Sequence, residues 1–187
     1  LGKVIEPEAL EAELDLINDP IEKLMFKARF TDTQKYGSLY EKKGEKGGLF
    51  GIFIDPTKCK GCAECVDACG DHQALSMIPK STPTLKQYSN TFNFYTRLPN
   101  TPQKFINERL LTDMMLSEDA ILYVGGAGSC QGCGEATALR MMTTATGFVY
   151  GADNFGMVAS TGCNTVYTAT YPYNPYKIPW ANSLFEN

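Results

Sequence analysis

Residues 119–135 read Asp119-Ala120-Ile121-Leu122-Tyr123-Val124-Gly125-Gly126-Ala127-Gly128-Ser129-Cys130-Gln131-Gly132-Cys133-Gly134-Glu135. Residues 120–124 are apolar and β-prone, and they predict a buried strand. Gly125-Gly126-Ala127-Gly128 predicts the turn that ends it. Beyond Cys133 the residues are mainly Ala, Leu, Arg and Met, so a helix is predicted over residues 135–144 with Gly147 as its stop. A further strand is predicted over residues 155–160, running into Thr161-Gly162-Cys163. Strand, loop, helix and strand in this order open an α/β layer, a class that carries its sites at the strand ends.

Three of the seven cysteines fall in those loops. Cys130, Cys133 and Cys163 form a set one thiolate short of a cubane, and zinc in a structural site also takes four ligands. Ser129 to Glu135 lies between a strand and a helix, where backbone N–H groups converge. Loops that follow neighbouring parallel strands bring Cys163 towards Cys130 and Cys133. Glu135 reads either as a site acid or as a first-turn acid favoured by the helix dipole.

The other four cysteines are Cys59, Cys62, Cys65 and Cys69, at the x2-x2-x3 spacing of a bacterial ferredoxin motif. Thiolates select soft metals, and a tight x2-x2 loop wraps three of them around one [4Fe–4S] cube. Gly61 permits close backbone approach, and loop N–H groups can donate to the sulfides. A zinc knuckle is the competing reading. Gly70 follows Cys69 where the ferredoxin pattern has proline. In two-cluster ferredoxins the fourth cysteine serves the other cluster, so Cys59, Cys62 and Cys65 call for a ligand from a second motif. No such motif lies in residues 1–58. Another part of the polypeptide or a sister subunit supplies it, or all four cysteines bind one cluster. His72, the single histidine, reads as a surface residue, and Glu64 and Asp67 as solvated acids.

Bulk properties bound the rest. The chain has 187 residues and is 43% hydrophobic, enough for one ordinary domain or two small ones. A net charge of −4 leaves no basic footprint for nucleic acid. No apolar run approaches the roughly 20 residues that span a bilayer. Leu1-Gly2-Lys3-Val4 has no initiator Met, signal or lipidation pattern and reads as an interior start. An odd cysteine count without a signal argues against a disulfide framework and for a cytoplasmic protein.

The organisation expected is a helical N-terminal segment with a flexible loop over residues 1–48, a ferredoxin-like segment over 49–82, a connector and helix over 83–118, and an α/β portion over 119–187. Pro7 and Pro20 suit the starts of two helices, the first with Leu10, Leu14 and Ile17, the second with Ile21, Leu24 and Met25. These predict packing or subunit contact. Residues 49–55 predict a strand, residues 81–102 a connector without clear period, and residues 105–115 an amphipathic helix. The pairs Met114-Met115 and Met141-Met142 read as core filler.

Three runs together carry a resemblance. Gly128-Ser129-Cys130-Gln131-Gly132-Cys133-Gly134-Glu135, Thr161-Gly162-Cys163-Asn164 and Pro179-Trp180-Ala181-Asn182-Ser183-Leu184-Phe185-Glu186-Asn187 resemble the thiamine-diphosphate domain of pyruvate:ferredoxin oxidoreductases. Residues 51–80 resemble the second cluster motif of the ferredoxin-like domain that precedes it in that family. The resemblance implies an α/β thiamine-diphosphate-binding portion after a small α+β iron–sulfur domain. It implies that Cys130, Cys133 and Cys163 ligate the cluster nearest the cofactor, with a fourth cysteine beyond Asn187. It also implies that Glu135, Cys163 and Phe185 line the thiamine site, with Glu135 and Phe185 acting in catalysis; Phe185 and Trp180 read alternatively as core aromatics. The Gly-Asp-Gly segment that holds Mg²⁺ and the diphosphate has no match here, so those ligands lie outside this chain. The activity implied is oxidative decarboxylation of a 2-oxo acid, with electrons passed through [4Fe–4S] clusters to ferredoxin and the acyl group to coenzyme A. Other subunits or domains of the same oxidoreductase are the implied partners. An electron-transfer subunit without thiamine is the alternative.

Overall fold

A computed structural model of the chain describes residues 2–57, 59, 61–123, 133–160, 162–163 and 176–182. The elements in order are β1 (Gly2–Ile5), α1 (Pro7–Asp15), α2 (Pro20–Lys27), β2 (Phe30–Asp32), α3 (Leu39–Glu41), β3 (Leu49–Ile52), α4 (Glu64–Cys69), α5 (Thr82–Arg97), α6 (Leu111–Met114), α7 (Gly134–Tyr150), β4 (Met157–Ala159) and β5 (Trp180–Asn182). A five-residue π-turn at Gln34–Ser38 precedes α3. The chain divides into two compact units, residues 1–59 with 78–109 and residues 60–77 with 110–187.

The first unit is built on an antiparallel sheet of order β1-β3-β2, in register Lys3↔Gly51 and Thr31↔Phe50. The strand at β1 departs from the helical reading of the first thirty residues. A four-residue strand has no pattern of its own to announce it, and its partner lies more than forty residues on. Thr101 Oγ1 satisfies its outer edge by accepting the Val4 N–H at 3.1 Å. Pro7 and Pro20 do open α1 and α2, and Asp19 caps α2 by accepting the Ile21 N–H at 2.9 Å. Ile5, Leu10, Leu14, Phe26, Phe94 and Leu98 form the core, with Phe26 stacked on Phe94 at 4.5 Å. Ile21 and Leu24 instead remain 70% and 68% exposed, so α2 buries Phe26, half-buries Met25 and turns those two residues outward.

Residues 81–102, expected as a connector, contain the sixteen-residue α5. Ser81 accepts the Thr84 N–H, Pro83 suits the first turn, and Thr91, Phe94 and Tyr95 are buried. Its Thr, Asn and Tyr content is weakly helical, and it is the burial of one face that forms the helix. Lys3, fully buried, caps its far end by donating to the Leu98 carbonyl at 3.1 Å and lies over the Tyr95 ring at 4.5 Å. Residues 105–115 differ as well. Phe105 closes a 3₁₀ turn and packs on Tyr36 and Tyr40, the Asn107 side chain accepts the Arg109 N–H at 3.0 Å, and helix resumes only at α6. That Asx turn interrupts the predicted helix. Across the surface, Lys46 donates to Glu8 at 2.7 Å, and this bond lowers the Glu8 pKa and raises that of Lys46.

In the second unit α7 packs over Leu122 and Tyr123, and β4 pairs in parallel with β5 in the register Val158↔Ala181. Leu122, Tyr123, Ala136, Tyr176 and Ile178 form its core. Of the strand predicted over residues 120–124, residues 118–120 form a 3₁₀ turn and Tyr123 makes one antiparallel bridge to Tyr176; Val124 and the glycine turn lie outside the described residues. The helix runs six residues past the predicted end. Gly147 does not stop it; Gly151, at φ +82°, does. Gly147 is there for proximity: a Cβ would lie 2.4 Å from Leu122 Cδ1, and Leu122 is itself buried. Gly147→Val is therefore expected to destabilise the chain by about 2 kcal/mol through overpacking, measured as a fall in the urea midpoint at unchanged slope. Gly147→Ala loses less, since alanine regains about 1 kcal/mol of helix propensity. Met141 and Met142, expected in the core, are 47% and 50% exposed, because the inward face of α7 is taken by Ala136, Thr143 and Gly147. Both units together make a mixed α/β chain, and among the described residues no helix is long and apolar enough to cross a membrane.

Candidate cofactor and cluster-binding loops

The first cysteine loop leaves β3 through a turn built on Asp55. Its carboxylate accepts the Thr57 N–H at 2.9 Å and the Thr57 hydroxyl at 2.6 Å, and its carbonyl accepts the Cys59 N–H at 3.0 Å. Lys80 clasps the same turn, donating to the Pro56 carbonyl at 2.9 Å and to the Cys59 carbonyl. Gly61 and Ala63 then adopt left-handed φ values of +72° and +65°, which bend the chain into α4. Four residues apart on α4, Cys65 and Cys69 share one helical face. Cys69 Sγ accepts the Ala74 N–H at 3.1 Å, the kind of backbone donation to sulfur expected of this loop. Gly70 at φ +51° makes the exit turn where a proline would be barred from positive φ. Cys59, Cys62 and Cys69 are half-buried, and Cys65 is exposed, as are His72 and Asp67.

The second site lies at the N-terminus of α7. Cys133 is the N-cap residue, its carbonyl accepting the N–H and hydroxyl of Thr137 at 3.1 and 3.2 Å. The side chain packs against the Leu122–Tyr123–Tyr176 core, which fixes where this thiol stands. Glu135 occupies the exposed first turn, at the positive end of the helix dipole. Met157 donates to the Pro179 carbonyl at 2.9 Å and so ties β4 to the residues before β5. Cys163 follows β4 and is also exposed. Its Sγ–H donates to Glu135 Oε2 at 3.5 Å. The fold thus joins two residues 28 positions apart for which the family resemblance implies one cofactor site. Cys130 and Phe185 lie outside the described residues.

The donor set fits iron–sulfur chemistry in kind: soft thiols at ferredoxin spacing, a backbone N–H already directed at one sulfur, and no disulfide among the described cysteines. The side chains are not gathered: among the described residues no three His, Cys, Asp or Glu groups form a metal-holding set. For thiamine diphosphate, the exposed Glu135–Cys163 pair at a helix N-terminus fits a polar cofactor in charge and access. The sequence did not identify Lys80, whose partners lie 21 and 24 residues upstream. Asp55 could have been found from Asp-Pro-Thr, a turn signature.

No family model matches the chain. It is 27% identical over 200 residues to a protein of Synechocystis sp. named as a pyruvate-flavodoxin oxidoreductase, an alignment that takes in 100% of this chain and 14% of that protein. It is 30% identical over 152 residues to the pyruvate:ferredoxin oxidoreductase of Moorella thermoacetica, covering 76% of this chain and 12% of that one. It is also 30% identical over 153 residues to the pyruvate-flavodoxin oxidoreductase of Klebsiella pneumoniae, with 78% and 12% covered. The chain spans 12–14% of the length of these curated relatives. At 30% identity over more than three quarters of its length, then, the chain belongs to the pyruvate:ferredoxin and pyruvate-flavodoxin oxidoreductase family.

Proposed function

We propose that the chain serves a cytoplasmic 2-oxo acid oxidoreductase that oxidatively decarboxylates pyruvate, with ferredoxin as electron acceptor and coenzyme A as acyl acceptor. Residues 49–82 are its ferredoxin-like cluster segment and residues 119–187 the N-terminal part of its thiamine-diphosphate-binding α/β domain, joined through residues 83–118 and preceded by residues 1–48. The observation that carries this reading is the contact between Cys163 and Glu135 at 3.5 Å, beside the N-cap Cys133. When bound, thiamine diphosphate supplies the electron sink for loss of CO₂, and [4Fe–4S] clusters carry electrons singly.

The chain's own residues hold and orient. Cys59, Cys62, Cys65 and Cys69 are cluster ligands, the last serving a second cluster. Cys130, Cys133 and Cys163 are three ligands of the cluster nearest the cofactor. Glu135, with Phe185, would line the thiamine site, and its carboxylate accepts from the Cys163 thiol. In the loaded enzyme Cys163 would be an iron ligand and Glu135 would hydrogen-bond thiamine diphosphate. Ligands for Mg²⁺ and the fourth thiolate come from other domains or subunits of the same oxidoreductase.

The test is the composition of the anaerobically purified enzyme. Iron, acid-labile sulfide and thiamine diphosphate in a deproteinised extract are all expected. Clusters without thiamine diphosphate would leave an electron-transfer subunit instead, and zinc without sulfide would end both readings.

A further inference from the structure

We propose that Lys80 is a positioning residue for the cluster bound through Cys59, holding that ligand's backbone and placing a fixed positive charge beside it. The inference rests on the proposed role of Cys59 as a ligand. Lys80 stands immediately before Ser81, the N-cap of α5, so its backbone is anchored by the first unit's longest helix. Its ammonium bridges the carbonyls of Pro56 and Cys59, at 2.9 Å for the first. Those two carbonyls belong to the turn that Asp55 already closes through Thr57 and Cys59. A turn held from both sides presents the Cys59 thiol from a rigid support, as ligand sites require.

Lysine suits both parts of this role. Its three donors can serve two carbonyls at once, and its ammonium is a compact point charge. A reduced cluster carries one more negative charge than an oxidised one. A nearby cation therefore stabilises the reduced form and raises the potential. Lys80 is solvent-exposed, so its field is partly screened and the expected effect is modest.

The test uses the anaerobically purified holoenzyme, with clusters followed by EPR-monitored redox titration and by iron and sulfide content. Cys59→Ser first identifies the affected cluster, since a hard oxygen is a poor ligand for it. Lys80→Met is then expected to lower the ratio of reduced to oxidised cluster at a fixed potential about threefold, a shift of about −30 mV for a one-electron couple. Lys80→Gln keeps a donor to the turn without the charge, so it is expected to retain more iron than Lys80→Met while showing the same shift. Lys80→Arg restores wild-type potential and iron content.

Wild-type iron and midpoint in both Lys80→Met and Lys80→Gln would overturn the proposal while leaving Cys59 as a ligand. Equal iron loss in all three Lys80 variants, arginine included, would overturn it as well. Every cluster signal unchanged in Cys59→Ser would instead refute the ligand assignment beneath it.

Discussion

Cys163→Ala in the assembled enzyme is expected to lower pyruvate-dependent acceptor reduction at least about 100-fold and to remove the EPR signal of the cluster nearest the cofactor. Outer-shell partners of metal ligands are typically worth 10- to 100-fold, and a direct ligand exceeds them. A 100-fold loss corresponds to about 2.7 kcal/mol of transition-state stabilisation. Folding is not the cause, since the residue is exposed. Cys163→Ser separates the two things this side chain does. A hydroxyl can still donate to Glu135, but as a hard ligand it binds iron poorly, so the serine variant is expected to lose the cluster almost as fully as alanine. Glu135→Gln is expected to keep the cluster signal and the iron content while lowering kcat, because the proposed role of Glu135 is towards the cofactor and its contact is with Cys163 rather than with iron. Full iron content and full rate in Cys163→Ala would refute the site.

The largest stability effect is expected at Lys3. This side chain is fully buried in β1, donates to the Leu98 carbonyl at 3.1 Å and the Tyr95 carbonyl at 3.5 Å, and lies over the Tyr95 ring. It joins the sheet to the C-terminal end of α5, where the helix dipole is negative and the last carbonyls lack intrahelical donors. Lys3→Met keeps most of the volume and removes the donors, for an expected loss of about 2–3 kcal/mol. Lys3→Ala adds a cavity and is expected to cost about 4 kcal/mol. At about 2–4 °C per kcal/mol for a chain of this size, Lys3→Met lowers the thermal midpoint by roughly 5–10 °C. Hydrogen exchange gives the location: amides near the end of α5 should lose protection first. An unchanged midpoint in both variants would show that the buried ammonium contributes nothing net.

Much of the chemistry is legible without coordinates because metal ligation is specified by residue type and short spacing. The x2-x2-x3 run of Cys59 to Cys69 predicts a soft-metal loop from residue type and spacing alone, although the described side chains do not gather into a metal-holding set. The Cys130–Glu135, Cys163 and Trp180–Asn187 runs carry the family likeness that the relatives bear out. Local signals also fix α1 and α2 through Pro7 and Pro20, and β3 through its apolar run.

What only the tertiary structure decided depends on partners distant in the chain. β1 exists because Leu49–Ile52 pairs with it, and α5 because Phe94 and Tyr95 find a core and Lys3 caps their helix. Gly147 is read locally as a stop, yet its lack of a side chain serves the approach of Leu122 from outside the helix. Met141 and Met142 face outward because smaller residues occupy the inward positions of α7. The meeting of Cys163 with Glu135 and the grip of Lys80 on the Cys59 turn are of the same kind. Ligand identity is a property of single side chains and their spacing; burial, capping and juxtaposition are properties of pairs, and their free energy appears only when the chain has closed the loop between them.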